Sequence, residues 1–367
     1  MSPAPRRLAL LLGFCALAGV AFAARPPAKR AEPAAAPEID PNDFRSAIVI
    51  DAATGRVLAE INPDVQNPPA SVAKLMTFLV VADKIKAGEL ALTTPVTIPR
   101  EAAKMGGSEA WLMDKEVVPV EELLYLLMVQ SANDAAMALA IQAAGSRDAF
   151  VDLMNARARA LGMTHTVFHS PHGLPPGRDQ EPDLTTARDL ALLARELISH
   201  TDILRYTSTR SHEFRHANGV VNKFENHDHL LASVPGCDGL KTGWYAKAGY
   251  SIAATVQRNG RRVIAVVLGC PQRVLRDTIT TRLIERGFAA LPPAPVAPAP
   301  AVAATAPAPV PAPAAATPAP AGAAPPAASG IKLVPLSAAD KQALEGGDNA
   351  GGNGDDTVHV DLAKPKK

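Results

Sequence analysis

Residues 249–269 read GYSIAATVQRNGRRVIAVVLG. Two runs of β-branched and small apolar residues flank Asn259-Gly260, the dipeptide best suited to a two-residue hairpin turn because both positions tolerate positive φ. The stretch predicts a pair of long antiparallel strands. Just upstream, CDGLKTGWY from Cys237 predicts a third strand, and SAIVIDAATGRVLAEI at 46–61 predicts another hairpin, turning at Thr54-Gly55. The chain between these strands has helical periodicity. Residues 71–87, 119–130, 148–160 and 186–199 each carry apolar side chains at helical spacing, the last with Thr185-Thr186 as candidate caps. A final helix is expected at 273–288. Strands, a long helical insertion, then strands again give an α+β class: an antiparallel sheet flanked by helices, with an inserted helical lobe.

The 367 residues carry a formal net charge of +1, which gives no electrostatic basis for nucleic acid or an anionic membrane as main partner. Arg6 and Arg7 precede an apolar run at 8–22, and Ala21-Phe22-Ala23 places small residues where a signal peptidase reads. Residues 1–23 are therefore expected to be a signal peptide, followed by an N-terminal linker at 24–37. The mature protein is expected to be extracytoplasmic, periplasmic or secreted. It is expected to keep no transmembrane anchor, because the apolar run is short against the ~20 residues a span needs. The 34 prolines are unevenly placed. Residues 292–330 are almost wholly Pro and Ala, a composition that favours extended conformers over a core, and 331–367 read as a disordered tail.

Residues 67–77, NPPASVAKLMT, place Ser71 and Lys74 three apart at the start of a helical run. Residues at this spacing share a face. A serine attacks well only when a base takes its proton, and a lysine is such a base only when neutral, about 3 units below its ordinary pKa at pH 7. Burial and a second nearby cation both push it that way. The pair alone is weak evidence; Ser329 and Lys332 repeat it in the tail. Two further stretches strengthen it: SAND at 131–134 and KTG at 241–243. Ser131 can relay a proton to a leaving group. Asn133 can bind a substrate carbonyl and anchor the lysine. Lys241 can be the second cation. Thr242 can bind an anionic substrate end, and Gly243 lets its strand lie close to a substrate backbone. The backbone N–H groups of Ser71 and Trp244 can form an oxyanion hole.

Ser-x-x-Lys, Ser-x-Asn and Lys-Thr-Gly in this order resemble the penicillin-recognising serine enzymes. PASVAKLMT, SANDAA, PHGL, TARDLALLAREL and GLKTGWYAKAGYS are similar to serine D-alanyl-D-alanine carboxypeptidases in particular, and the similarity runs over residues 38–291. It implies a β-lactamase/transpeptidase-like fold and a catalytic domain over that range. It also implies removal of the terminal D-Ala from peptidoglycan stem peptides through an acyl-enzyme on Ser71, with β-lactams as covalent inhibitors and no cofactor. Catalysis would rest on Ser71, Lys74, Ser131, Asn133 and Lys241. Substrate binding would rest on Lys241, Thr242, Gly243, Trp244, Arg273 as a second cation for the substrate carboxylate, and His172 lining the site. The sheet order of that family puts Cys237 and Cys270 at opposite ends of parallel strands, which argues against a disulfide. Many relatives carry a β-rich second domain and an amphipathic anchoring helix, where this chain has its Pro/Ala linker and tail.

Other readings stay open. EPDLT at 181–185 resembles the Glu-bearing segment of class A β-lactamases, with Glu181 as the glutamate. A muropeptide D,D-endopeptidase would use the same nucleophile, and a non-catalytic penicillin-binding sensor would be acylated without turnover. His227 and His229 would share a face on a strand, but no third metal ligand accompanies them.

Overall fold

A computed structural model describes residues 39–175, 177–178 and 180–292. The expected signal peptide, the N-terminal linker, the Pro/Ala segment beyond Pro292 and the tail lie outside the described residues. In chain order the elements are β1 (Ser46–Asp51), β2 (Val57–Ile61), α1 (Lys74–Lys86), β3 (Pro95–Thr97), β4 (Val117–Pro119), α2 (Val120–Val129), α3 (Asn133–Ala144), α4 (Arg147–Ala160), α5 (Ala187–His200), α6 (Ile203–Thr207), β5 (Ser211–Arg215), β6 (Val221–Glu225), α7 (Leu230–Ser233), β7 (Cys237–Gly243), β8 (Tyr250–Arg258), β9 (Arg261–Cys270) and α8 (Arg273–Ala290).

The main sheet has five strands in the order β2-β1-β9-β8-β7, all neighbours antiparallel. Its central hairpin, β8 to β9, turns at Asn259 (φ 51°) and Gly260 (φ 72°), the two positive values that a right-twisted hairpin needs. Both faces of the sheet are covered. On β9, Ile264, Val266 and Leu268 join the core under the helical lobe, while Val263, Ala265 and Val267 join the core under α8 with Ile279, Leu283 and Ile284. This explains an apolar run without alternation in an antiparallel strand. Cys237 opens β7 opposite Val256 and Cys270 ends β9 opposite Tyr250, so the two free thiols sit at opposite ends of β8, about 20 Å apart at strand rise.

The helical lobe is inserted between β2 and β7. Its centre is α1, buried without interruption from Lys74 to Val81, as befits a helix with neighbours on all sides. The cap at Thr186 is present: its side chain accepts from Asp189 N at the start of α5. Several features differ from the sequence expectation. Residues 70–73 form a 3-10 turn, and the α-helix begins only at Lys74. The hairpin of β5 and β6 has no counterpart in that expectation; only Phe214 and Phe224 are buried along it, and His212 and Asn222 share their face, so its sequence carries little apolar signal. His227 and His229 are not on a strand: His227 lies in the loop after β6 and His229 flanks the start of α7. Among the described residues no group of His, Cys, Asp or Glu could hold a metal ion, and no helix is long and apolar enough to cross a membrane.

Candidate active site

The 3-10 turn makes the Ser71–Lys74 pairing tighter than an α-helix would, because residues three apart eclipse one another at three residues per turn. Lys74 Nζ lies 3.0 Å from Ser71 Oγ, 2.7 Å from Asn133 Oδ1 and 2.7 Å from the His172 carbonyl oxygen. The Asn133 orientation is fixed by its other end, where Nδ2 donates to the Gly106 carbonyl at 2.7 Å. These three partners define what the amine can do. A neutral amine has two N–H donors and one lone pair. Asn133 Oδ1 and the His172 carbonyl can only accept, so each takes an N–H. The lone pair is then left facing the hydroxyl of Ser71.

The electrostatics favour that neutral form. Lys74 is fully buried, and burial, with the positive charge of Lys241 next, holds its pKa well below the ordinary lysine value; Asp134 and Asp183 oppose the shift. The second cation that the sequence argument required is therefore Lys241. Lys241 is itself 2% exposed and donates to the Thr242 carbonyl at 3.1 Å. Burial brings its pKa down to about 7, with Asp228 raising it and Arg276 lowering it. Burial disfavours charge on either lysine, and the charge of Lys241 further disfavours charge on Lys74.

Ser131 joins α2 to α3 in a left-handed conformation, φ 62°, and its buried hydroxyl has no hydrogen-bond partner among the described residues. Ala70, directly before Ser71, is also left-handed at φ 49°. Each such residue costs of order 1–3 kcal/mol, and such strain gathers where a fold must present a side chain at a fixed angle. No local sequence signal marked either residue, since neither is a glycine or an asparagine. The end of β7 packs directly on the turn: a methyl group at Gly243 would lie 2.7 Å from Pro69 O and 2.9 Å from Ser71 N. Thr242 is buried beside it, and Trp244 follows, 37% exposed, with its ring stacked on Tyr250 at 5.4 Å.

His172 contributes its carbonyl to Lys74. Its ring is buried, Nδ1 accepts from Leu174 N at 3.1 Å, and burial, followed by the charges of Lys74 and Arg147, brings its pKa to about 3. The ring is neutral and spent on its own turn. Arg273 stands at the first turn of α8 and makes no hydrogen bond or ion pair among the described residues. The arginine in the field of Lys241 is Arg276, one turn further along, 2% exposed and bonded to Asp277.

Three residues that the sequence reading did not single out, Asp134, Asn67 and Asp183, hold the site together. Asp134, the last residue of the SAND stretch, is buried. Its carboxylate accepts from Ala110 N and Leu112 N, each at 3.0 Å, which fixes the loop carrying Trp111. Asn133 ties down the same loop through its own N–H to Ser108 O, 2.7 Å. Asn67, buried ahead of the turn, accepts from Arg45 and donates to Ala248 O, which links the turn to the loop between β7 and β8. Glu181 is exposed; the buried carboxylate of its segment is Asp183, already engaged in three hydrogen bonds.

The profile of the Peptidase S11 family, described as D-alanyl-D-alanine carboxypeptidase, matches residues 31–272. The D-alanyl-D-alanine carboxypeptidase DacC of Escherichia coli (strain K12) is 38% identical over 289 residues, covering 76% of this chain and 69% of the relative. DacF of Bacillus subtilis (strain 168), another D-alanyl-D-alanine carboxypeptidase, is 32% identical over 248 residues, 68% of this chain and 63% of the relative. This chain thus spans roughly two thirds of the length of these curated relatives, and less than that of DacF. The structure of penicillin-binding protein D2 from Listeria monocytogenes in its ampicillin-bound form superposes with a TM-score of 0.60 at 34% identity, over 67% of this chain and 97% of that one.

Proposed function

Given that the chain belongs to the Peptidase S11 family of D-alanyl-D-alanine carboxypeptidases, we propose that it removes the terminal D-alanine of peptidoglycan stem peptides through an acyl-enzyme on Ser71. The observation that carries the proposal is the single amine shared by Ser71 Oγ, Asn133 Oδ1 and the His172 carbonyl. Lys74, neutral, takes the Ser71 proton as Oγ attacks the carbonyl carbon of the penultimate D-Ala. A new C–O bond forms and the carbonyl electrons move onto oxygen, where the N–H groups of Ser71 and Trp244 receive them. The Ser131 hydroxyl passes its proton to the departing amine as the C–N bond breaks and takes up in turn the proton that Lys74 removed from Ser71, which restores neutral Lys74. Water then cleaves the acyl ester and returns Ser71. Lys241 and Thr242 hold the substrate carboxylate, and Gly243 keeps β7 close enough for its backbone to pair with the peptide. Arg276 acts on Lys241 from within the core, a role its burial allows and contact with substrate does not require.

A β-lactam presents the same carbonyl and would acylate Ser71. The class A lactamase alternative depended on Glu181 activating a deacylating water, and an exposed Glu181 argues against it. The protein would act outside the cytoplasm, where its substrate lies and where the signal-like N-terminus would direct it. The test is D-Ala release from a model pentapeptide by wild type and Ser71→Ala, with intact-protein mass spectrometry and peptide mapping after a β-lactam. Release by wild type alone and an adduct on Ser71 support the proposal. An adduct without release favours a sensor, and cleavage confined to cross-linked muropeptides favours an endopeptidase.

A further inference from the structure

Asp183 lies in the segment leading to α5 and is 5% exposed. Its Oδ1 accepts from His169 N at 2.6 Å and Ser170 N at 3.0 Å, and its Oδ2 accepts from Ser170 Oγ at 2.9 Å. Ser170 Oγ in turn accepts from Gly173 N at 2.8 Å. The carboxylate and the hydroxyl thus grip the turn at 170–173 from both ends. Between those ends, two carbonyls face α1: Pro171 O accepts from Thr77 Oγ1 at 2.5 Å, and His172 O accepts from Lys74 Nζ at 2.7 Å. The turn is also wedged against the residue before the serine. Gly173 has φ 76°, and a methyl group there would lie 2.0 Å from Ala70 O. The turn therefore has little room to shift.

We infer that Asp183 is a positioning residue: by pinning the 170–173 turn it aims the His172 carbonyl at Lys74 and so keeps the lysine lone pair directed at Ser71. The inference rests on the proposed roles of Ser71 and Lys74. Its physical content is orientational. With the His172 carbonyl withdrawn, one N–H of the amine loses its acceptor and can rotate to donate to Ser71 Oγ, and an amine donating to the hydroxyl cannot take its proton. The Asp183 charge adds a second effect, since it raises the proton affinity of Lys74 against burial and Lys241. The other groups facing Lys74 are Asp134 on α3, the neutral His172 ring and His227 in the loop before α7.

The two effects separate in two variants of the full chain. Ser170→Ala keeps the charge and releases Gly173 N. Asp183→Asn removes the charge and keeps one acceptor oxygen. The measurement is the second-order rate of acylation by a labelled penicillin across the acid and neutral range, with thermal unfolding as the control for folding. The wild type is first mapped for its adduct; no adduct on Ser71 overturns the activity itself, and this inference with it, before any variant is compared. Ser170→Ala is expected to lower the plateau rate about tenfold or more while leaving the acid limb in place. Asp183→Asn is expected to move the acid limb down by about one pH unit, because loss of a negative neighbour favours neutral Lys74. An unchanged plateau in Ser170→Ala, or an unchanged limb in a folded Asp183→Asn, overturns the inference. If Asp183→Asn does not fold, the plateau of Ser170→Ala decides alone.

Discussion

Gly243, at the end of β7, lies so close to Ser71 that a methyl group on its Cα would sit 2.9 Å from the Ser71 amide nitrogen and 2.7 Å from Pro69 O. Strand and turn are in backbone contact, and nothing larger than hydrogen fits between them. Gly243→Ala must push β7 from the turn. Overpacking of this kind costs about 1–3 kcal/mol of stability. The displacement also separates Lys241 from Lys74, so acylation by penicillin is expected to fall by roughly a hundredfold. A stopped-flow acylation rate and a denaturant midpoint check the two parts.

Lys74→Arg puts a permanent positive charge where the lysine amine is held neutral, on a group that does not deprotonate in proteins. Acylation is expected to drop by about 10²–10⁴, the usual worth of a general base. Binding of a slow, non-covalent substrate analogue should change far less. A comparable loss in both would mean that the substitution had deformed the turn rather than removed a base.

Lys241, with its pKa near 7, loses its charge as pH rises through neutrality. A substrate ending in a free carboxylate should therefore show a rising KM above about pH 7. The same peptide with a C-terminal amide should not. Removing this cation in Lys241→Ala takes away a charge that depresses the pKa of Lys74, so the acid limb of the acylation profile is expected to move to higher pH.

The buried pair Glu116–His216 ties the β5–β6 hairpin to the helical lobe, Nδ1 to carboxylate 3.2 Å, and Met113 N and Ala217 N also donate to Glu116. Burial pushes the Glu116 carboxyl up, but these hydrogen bonds outweigh it and hold the pKa below the ordinary 4.5. A folded-state pKa below the unfolded one gives stability that is present above pH 4.5 and lost as pH falls through the folded value. Glu116→Gln is expected to be less stable than wild type by about 2 kcal/mol at pH 7. The gap should narrow below pH 4.5, read by urea unfolding at several pH values.

How much of this was legible in the chain depended on the range of the interaction. Asn259-Gly260 announces its hairpin because the turn needs two positive φ values that the dipeptide itself supplies. Thr186 announces α5 because a cap reaches only three residues. By contrast, Ala70 and Ser131 carry no local preference for the left-handed region and are held there by their surroundings. Arg273 and Arg276 are equivalent as text on one helix. The side of α8 that faces Lys241 is set by how that helix packs on the sheet.

By itself the sequence determined the five strands of the main sheet, most of the helices and the three motif stretches that bear serine, lysine and asparagine, since each is written within a dozen neighbouring residues. The tertiary structure alone decided that Lys74 is buried beside a second lysine, and that carboxylates at 134 and 183 brace its partners. The physical reason is that proton affinity and hydrogen-bond direction depend on groups brought near by folding, and these groups lie some 60 to 170 positions away along the chain.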